Sequence, residues 1–332
     1  MSGITRRGAL IGIASGALLS FAGCTRAPAV ALTMACGQPG ALYLQFGELL
    51  SAALSARGTA ALELVETGGS ADNLALLGEV EVDLAISLAD TAEAGIAETG
   101  AAETGAAGAG AAGAEGAGAA GIVTLGRVYQ NYLQCLVRAD GSVAELADLA
   151  GRPISIGAKG SGTSRTARRV LAAMGMNGGG SAPVLHEHLL VDGLSALASG
   201  AVDALFWSGG IPTPEIAALA LETPLELLDL AVAVPALDEA YPDQYLATRV
   251  PAGVYGIRRP VPTIGIPNLL LARSTLSDGA VRALVDVLID DAYVLVPEGT
   301  VGMQFLTPAG LIDTGTIPLH PVARQRYRER YG

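Results

Sequence analysis

The sequence predicts an α/β protein of two units, each a sheet of strands covered by helices. Three observations support this prediction. Short runs of β-branched and apolar residues alternate with longer segments of helical periodicity, which is typical of parallel sheets with helices on both faces. Turn-forming glycine, serine and threonine residues follow the strands. The 332 residues are enough for two domains with a core each.

The first unit begins with a βαβαβ pattern. We expect strands at 30–35, 61–66 and 83–87, with helices at 42–56 and 71–78 between them. In such a pattern the carboxyl ends of the strands form the edge where ligands bind. The segment 100–121 that follows is almost pure alanine and glycine, so we expect a flexible surface insertion there.

The second unit repeats this plan. We expect strands at 133–138, 153–156, 184–190 and 204–207, helices at 143–149, 163–174 and 193–199, and then a strand at 263–271 and helices at 278–295 and 321–330. The loop 157–162, rich in glycine, separates the second of these strands from its helix. Both units therefore place small polar residues at strand ends.

The first 24 residues have the pattern of a bacterial lipoprotein signal. Arg6 and Arg7 precede a short apolar run, which ends in Phe21-Ala22-Gly23-Cys24. We expect cleavage before Cys24 and lipidation of its thiol, which would anchor the exported chain to the outer face of the cytoplasmic membrane. An uncleaved anchor, or a soluble secreted form with an ordinary buried Cys24, is the alternative.

Composition argues against nucleic acid as a partner. The formal net charge is -12 and Lys159 is the only lysine, so no basic face can neutralise phosphates. Beyond Cys24 no apolar run reaches the ~18 residues that a membrane span needs. Cys36 and Cys135 fall in predicted strands, and we expect both to be buried and free.

Catalytic and metal-binding patterns are missing from the sequence. His186 and His188 would share one face of a strand, but no third metal ligand lies nearby in sequence. Neither a Gly-x-Ser-x-Gly elbow nor a His-Glu-x-x-His motif occurs. We therefore expect no enzyme activity, no cofactor and no metal. An exported enzyme is the alternative, and it would need an acid/base pair that the sequence does not display.

Loops at the predicted strand ends suit ligand binding. At 160–163 the residues Gly-Ser-Gly-Thr precede a helix whose first N–H groups could hold a carboxylate. The segment 67–73 repeats this arrangement in the first unit, so two helix openings could face each other across a cleft. The alternative is that Ser161 or Thr163 only caps its helix.

Twelve residues are candidates for binding the ligand in such a cleft. Two aromatic candidates, Tyr43 and Trp207, could equally belong to the core. Asp90 could cap a helix or meet an ammonium group of the ligand. The full set is Gly40, Tyr43, Ser70, Asn73, Ser87, Asp90, Tyr129, Ser161, Gly162, Thr163, Trp207 and Gly209.

A series of motifs in chain order resembles the TAXI family of extracytoplasmic solute receptors, which serve TRAP-type transporters. The motifs extend over nearly all of the chain after Cys24, and the chain departs from the family pattern at Gln38-Pro39, where a second small residue is usual. They are Gly40-Ala-Leu-Tyr43, Glu66-Thr-Gly-Gly-Ser70-Ala-Asp-Asn73, Val82-Asp-Leu-Ala85 with Asp90, Asp148-Leu-Ala-Gly-Arg152, Gly160-Ser-Gly-Thr163, Ala201-Val-Asp-Ala204, Pro251-Ala-Gly-Val-Tyr255 and Ile317-Pro-Leu-His320-Pro.

The resemblance implies a two-lobed, periplasmic-binding-protein-like fold of class II with a hinge between the lobes. Residues 25–132 and 261–332 would form one lobe and residues 133–260 the other. It also implies a small carboxylate in the cleft, such as glutamate, glutamine or a dicarboxylate, and a TRAP-type membrane permease as partner. A lipoprotein that presents its solute to a membrane sensor would have the same sequence features.

Overall fold

The computed structural model describes residues 30–38, 41–106, 121–301 and 306–332. The signal segment with Cys24, the candidate Gly40 and residues 107–120 of the Gly/Ala-rich insertion lie outside the described residues. Within that described part, no helix is long and apolar enough to cross a membrane.

Strands and helices alternate along the described chain. The strands are β1 (Val30–Ala35), β2 (Ala60–Val65), β3 (Leu84–Leu88), β4 (Ile122–Arg138), β5 (Pro153–Ser155), β6 (Val184–His186), β7 (Ala204–Gly209), β8 (Leu225–Leu227), β9 (Leu246–Val250) and β10 (Val261–Arg273). The α-helices are α1 (Leu42–Arg57), α2 (Ser70–Gly78), α3 (Ala89–Ala106), α4 (Gly162–Ala173), α5 (Leu190–Ser199), α6 (Pro214–Glu222), α7 (Val234–Ala240), α8 (Asp278–Asp290), α9 (Pro308–Ile312) and α10 (Pro321–Tyr331).

One mixed sheet organises the molecule, with the strand order β2-β1-β3-β10-β4-β7-β5-β6. The two ends of this sheet are parallel, as the alternating pattern predicted, because β1 pairs with β2 and β3 and β5 pairs with β6 and β7 in the same direction. Its centre is antiparallel, because β10 pairs with β3 and β4, and β4 with β7. The prediction of simple parallel sheets was therefore incomplete.

The long strands β4 and β10 pass from one hydrophobic core to another. In β4, Leu125 and Val128 pack in a core with α1 and α8, whereas Leu133 and Val137 pack in a second core with α4 and β7. We call lobe 1 the part that holds the first core together with β1–β3 and α1–α3, and lobe 2 the part that holds the second core together with β5–β7 and α4–α7. The α/β, two-lobed fold class expected from the sequence is the fold of this chain.

Several predicted elements differ from those observed. The predicted helix 143–149 is only a short 3-10 turn at Leu146–Leu149, and the predicted strand 184–190 ends at His186 before helix α5 begins. Residues 100–106, expected to be flexible, continue helix α3 because alanine has the highest helix propensity and the helix is already started by buried residues. Cys36 and Cys135 are buried and free, as predicted.

The core of lobe 1 offers a test of this packing. Phe46 of α1 is fully buried between the sheet and α8, so we expect Phe46→Ala to lower the free energy of unfolding by about 3–5 kcal/mol through lost burial and a cavity. Urea denaturation followed by circular dichroism measures this. Leu221→Ala is the control, because Leu221 is 89% exposed and should change stability by less than about 0.5 kcal/mol. Similar losses in both variants would contradict the packing described.

Candidate functional site

A cleft lies between the two lobes at the carboxyl ends of strands from both. Gly37 follows β1, Gly68 follows β2 and Leu88 ends β3, while Ser161 comes after β5 and Gly209 ends β7. The sequence therefore builds the wall of each lobe from strand ends and loops. The complete lining is Gly37, Gln38, Ala41, Leu42, Tyr43, Gly68, Gly69, Ser70, Leu88, Asn131, Ser161, Gly162, Thr163, Trp207, Ser208 and Gly209.

Three helices begin at this cleft. Ala41, Gly69 and Ser161 are the N-cap residues of α1, α2 and α4, and all three line the cleft. Neither Ala41 nor Gly69 supplies a side-chain cap, so no N-cap side chain competes with a ligand for the first N–H groups of α1 and α2. The positive ends of three helix dipoles thus meet in one place.

Among the residues described, the lining mixes apolar surface with hydroxyl and amide groups and holds no charged side chain. Its one ionisable side chain is Tyr43, and burial raises the pKa of that phenol well above its ordinary value, so Tyr43 stays protonated near neutral pH. The Tyr43 hydroxyl and Ser70 Oγ are hydrogen-bonded at 3.0 Å, and Ser70 Oγ also accepts from the Leu88 N–H at 3.2 Å. Whichever hydroxyl donates in this pair, the other has a hydrogen to offer to a ligand.

Two further hydroxyls come from the start of α4 in lobe 2. Ser161 Oγ accepts from the Ser164 N–H at 3.1 Å and so caps the helix, which the sequence allowed as an alternative. Thr163 Oγ1 accepts from the Ser208 N–H, also at 3.1 Å. Because each hydroxyl accepts a hydrogen bond inside the protein, each keeps its own hydrogen for an acceptor in the cleft. Capping and ligand binding are therefore compatible roles here.

Trp207 and Tyr43 belong both to the cores and to the cleft. The Trp207 indole is 8% exposed, lines the cleft and donates from Nε1 to Thr213 Oγ1 at 3.1 Å. Gly209 makes room for it, since a Cβ there would lie 2.4 Å from Trp207 Nε1. Tyr43 packs edge-on against Tyr129 with ring centroids 6.5 Å apart. Each of these two aromatic residues therefore packs in a core and also lines the cleft, so the two alternatives that the sequence allowed do not exclude each other.

The lobes are in contact at the cleft, and we call this arrangement the closed form. A Cβ on Gly162 of lobe 2 would lie 2.5 Å from Leu88 Cδ1 and 2.8 Å from Ser70 Oγ in lobe 1. A Cβ on Gly210 would lie 3.1 Å from Leu42 Cδ2. Backbone from one lobe therefore packs directly on side chains of the other, and a residue larger than glycine at 162 would collide with them.

Four of the candidate residues lie away from the lining, and a fifth, Gly40, is outside the described residues. Asn73 is fully buried and its Nδ2 donates to the Cys36 and Ile86 carbonyls, which ties α2 to β1 and β3. Ser87 donates to the Leu88 carbonyl, and Tyr129 packs in the lobe 1 core. These three side chains support the walls and do not face the cleft.

Asp90 also lies away from the lining. It is fully buried, and its Oδ2 accepts from Thr166 Oγ1 and from the Tyr245 hydroxyl, each at 2.8 Å. A carboxylate that is engaged in this way does not face a ligand, so the alternative of an ammonium partner fails on geometry. Seven candidates do line the cleft: Tyr43, Ser70, Ser161, Gly162, Thr163, Trp207 and Gly209.

Sequence reasoning missed Asn131, whereas it placed Ser208 at this strand end together with Trp207 and Gly209. Asn131 lies on β4 where the strand passes between the lobes, and its Nδ2 donates to the Ser208 carbonyl at 3.2 Å. The available signal was the adjacent polar pair Gln130-Asn131 in the middle of a mainly apolar strand. The rings of His186 and His188 are stacked, with their centroids 5.7 Å apart. The described residues contain no group of three side chains that could hold a metal ion.

Several solved structures are similar in fold to this chain at low sequence identity. The alkanesulfonate-binding protein SsuA from Xanthomonas axonopodis pv. citri, bound to MOPS, is 17% identical over 91% of this chain and 84% of its own, with a TM-score of 0.46. The ligand-binding component of an ABC-type import system from Staphylococcus aureus, with zinc bound, is 12% identical over 90% and 92%, with a TM-score of 0.47.

A protein from Bordetella bronchiseptica RB50 is 13% identical over 91% of this chain and 98% of its own, with a TM-score of 0.50. Likeness at this identity extends to the fold alone. A model of the NMT1-like family, by contrast, matches residues 34–330, which include both lobes and the whole described lining of the cleft. The chain belongs to the NMT1-like family.

Proposed function

We propose that this chain is a solute-binding receptor that captures a small carboxylate between its lobes and delivers it to a membrane transporter. The observation that carries the proposal is the convergence of three helix N-termini on a cleft whose described lining has no charged side chain. Backbone N–H groups and helix dipoles at such a place favour an anion. The absence of an acid, base or nucleophile pair from this lining favours binding without reaction.

The lining favours an anion without an ammonium group. An amino acid would bring a positive charge into the cleft, and that charge would need a carboxylate or several acceptors nearby. No carboxylate belongs to the described lining, and Asp90 is engaged elsewhere. Of the solutes that the sequence suggested, we therefore favour dicarboxylates and simple organic acids over glutamate and glutamine.

Closure would follow from donors on both walls. Ser70 and the start of α2 belong to lobe 1, whereas Ser161, Thr163 and the start of α4 belong to lobe 2. A carboxylate that accepts hydrogen bonds from both sets does so only in the closed form, so the solute shifts the population toward closure. The closed receptor would then dock on its membrane partner.

The membrane partner is proposed from the motifs alone. Their resemblance to TAXI receptors favours a TRAP-type permease, and a lipid on Cys24 would hold the receptor beside it. A membrane sensor is the second candidate for this role, because the same cleft would serve it. Vesicles that contain the permease and accumulate the solute only with the receptor added would support transport.

A thermal-shift screen tests the class of solute. The full chain is melted with amino acids and, for each one, the acid of the same carbon skeleton without the amino group, such as glutamate beside glutarate. We expect the acids without an ammonium group to raise the melting temperature more, because ligands that bind only the folded state stabilise it by mass action. Larger shifts with the amino acids, or no shift with any acid, would overturn the proposal.

The hydroxyls of α4 offer a second test. We expect Ser161→Ala combined with Thr163→Ala to weaken binding of the acid found in the screen by about tenfold or more, because two donors to a charged acceptor are lost. Titration calorimetry measures this. Ser277→Ala is the matched control: Ser277 caps α8 as Ser161 caps α4, far from the cleft lining. Unchanged affinity in the double variant would refute the assignment.

Gly162 tests whether binding needs the lobe contact. We expect Gly162→Ala to fold and to lose most of its affinity, because the new methyl group would collide with Leu88 and Ser70 and hold the lobes apart. Gly279→Ala is the control, since a Cβ at Gly279 meets nothing within 4 Å. Fluorescence of Trp207, the single tryptophan, follows binding in both variants. Equal affinities for the solute in Gly162→Ala and Gly279→Ala would show that solute binding does not require the contact between the lobes at Gly162.

A further inference from the structure

A buried polar cluster joins the two lobes away from the cleft lining. Asp90 and Thr91 begin α3 in lobe 1, whereas Thr166 and Arg169 of α4 and Tyr245 belong to lobe 2; we call these five residues the interlobe cluster. The hydroxyl groups of Thr166 and Tyr245, which are both in lobe 2, donate to Asp90 Oδ2, each at 2.8 Å. The Thr91 hydroxyl, on the same lobe as Asp90, donates to Oδ1 at 3.0 Å.

A cation from lobe 2 completes the cluster. Arg169 Nη1 lies 3.9 Å from Asp90 Oδ2 and donates to the Tyr245 hydroxyl at 2.9 Å. Its guanidinium also stacks over the ring of Tyr241, 3.9 Å from the centroid. Burial raises the pKa of the Tyr245 phenol far above its ordinary value, which keeps that hydroxyl a donor. The charge of Asp90 is therefore balanced mainly by groups from the opposite lobe.

Other contacts between α3 and lobe 2 are more exposed than that of Asp90. Gln244 Nε2 donates to Glu93 Oε2 at 2.5 Å at a partly buried position. Arg165 pairs with Glu98 at 3.3 Å, but Glu98 is 67% exposed, and exposed ion pairs contribute little because water and salt screen them. Asp90 is thus the contact whose loss would matter most.

The burial of Asp90 makes partial opening costly. Asp90 is 0% exposed, and a buried carboxylate is tolerated only while it is hydrogen-bonded or paired. Lobes that moved apart by a few ångströms would remove the Thr166 and Tyr245 donors before water could replace them. Two arrangements would satisfy the carboxylate, one with the hydroxyls of lobe 2 on it and one with water on it. The burial of Asp90 therefore favours a switch between two arrangements over a gradual opening.

The same helix links the cluster to the cleft. Gly162 at the first turn of α4 packs on Ser70, and Thr166 one turn later bonds to Asp90, with its hydroxyl also 3.0 Å from the Gly162 carbonyl. A movement of α4 that closes the cleft thus brings Thr166 onto Asp90. We propose that the interlobe cluster is a lock that holds the lobes closed even without a solute. The proposal needs no particular ligand and is independent of the proposed function.

Two threonines that donate to the same carboxylate test the lock. Thr166→Val removes a donor that crosses between the lobes, whereas Thr91→Val, the matched control, removes a donor from the same lobe as Asp90. Both threonines are buried. The readout is acrylamide quenching of Trp207 in the unliganded full chain, because this single tryptophan is 8% exposed in the closed form and lines the cleft.

We expect low quenching in the wild type and in Thr91→Val, and clearly higher quenching in Thr166→Val. The closed-to-open ratio should fall by about tenfold or more, the size typical of a lost hydrogen bond to a charged group. The Thr91 hydroxyl contacts Asp90 in both the closed and the open form, so its removal leaves the closed-to-open ratio unchanged. Thr166→Ser, which restores a hydroxyl, should quench like the wild type.

Circular dichroism and a thermal melt establish that each variant is folded. If Thr166→Val does not fold, Tyr245→Phe removes the other donor from lobe 2 and is expected to open the cleft in the same way. Two results would overturn the proposal. One is a wild type in which Trp207 is as accessible as in the variants, and the other is equal quenching in Thr91→Val and Thr166→Val.

Discussion

The antiparallel pairing of β4 with β10 is the constraint on which the rest of this structure depends. These strands carry the chain between the lobes, and each contributes apolar side chains to both cores. Near the changeover, Asn268 Nδ2 of β10 donates to Asn131 Oδ1 of β4 at 3.0 Å, and Asn131 donates in turn to the Ser208 carbonyl. These hydrogen bonds connect the two strands that pass between the lobes to the cleft. Each buried amide in the series needs its neighbour as a hydrogen-bond partner.

The proposed binding of an anion is compatible with the acidity of this protein, because the electrostatic field at the cleft differs from what the net charge alone would give. The chain carries -12 overall, but charges on the surface are screened by water and salt, whereas groups at the cleft are not. Neutral donors also avoid the desolvation cost of a buried arginine or lysine. In the proposed function, the three helix starts at Ala41, Gly69 and Ser161 therefore attract the solute without a formal positive charge.

Local chemistry was predictable from the sequence, and long-range pairing was not. The strand at Val30–Ala35 and the helix that starts near Ser161 follow from periodicity and capping, which neighbouring residues determine. Asn131 was missed because its role depends on β7 and β10, which lie far along the chain. The partners of Asp90 are 76 and 155 positions away, so no local pattern could separate a ligand contact from a contact between lobes.

Two opposing requirements limit how strongly the interlobe cluster can hold the lobes closed. A solute can enter only when the cleft is open, so a lock that was too strong would slow its capture. The apparent affinity for the solute, however, decreases when fewer molecules adopt the closed form. A lock that was too weak would therefore lower the apparent affinity. Hydrogen bonds to a charged group contribute about 1.5–3 kcal/mol each, and two such bonds cross between the lobes to Asp90. Part of that contribution is offset by the hydration that the carboxylate regains on opening. The net preference for closure is therefore modest, which fits the proposed role of a receptor that both captures and releases its solute.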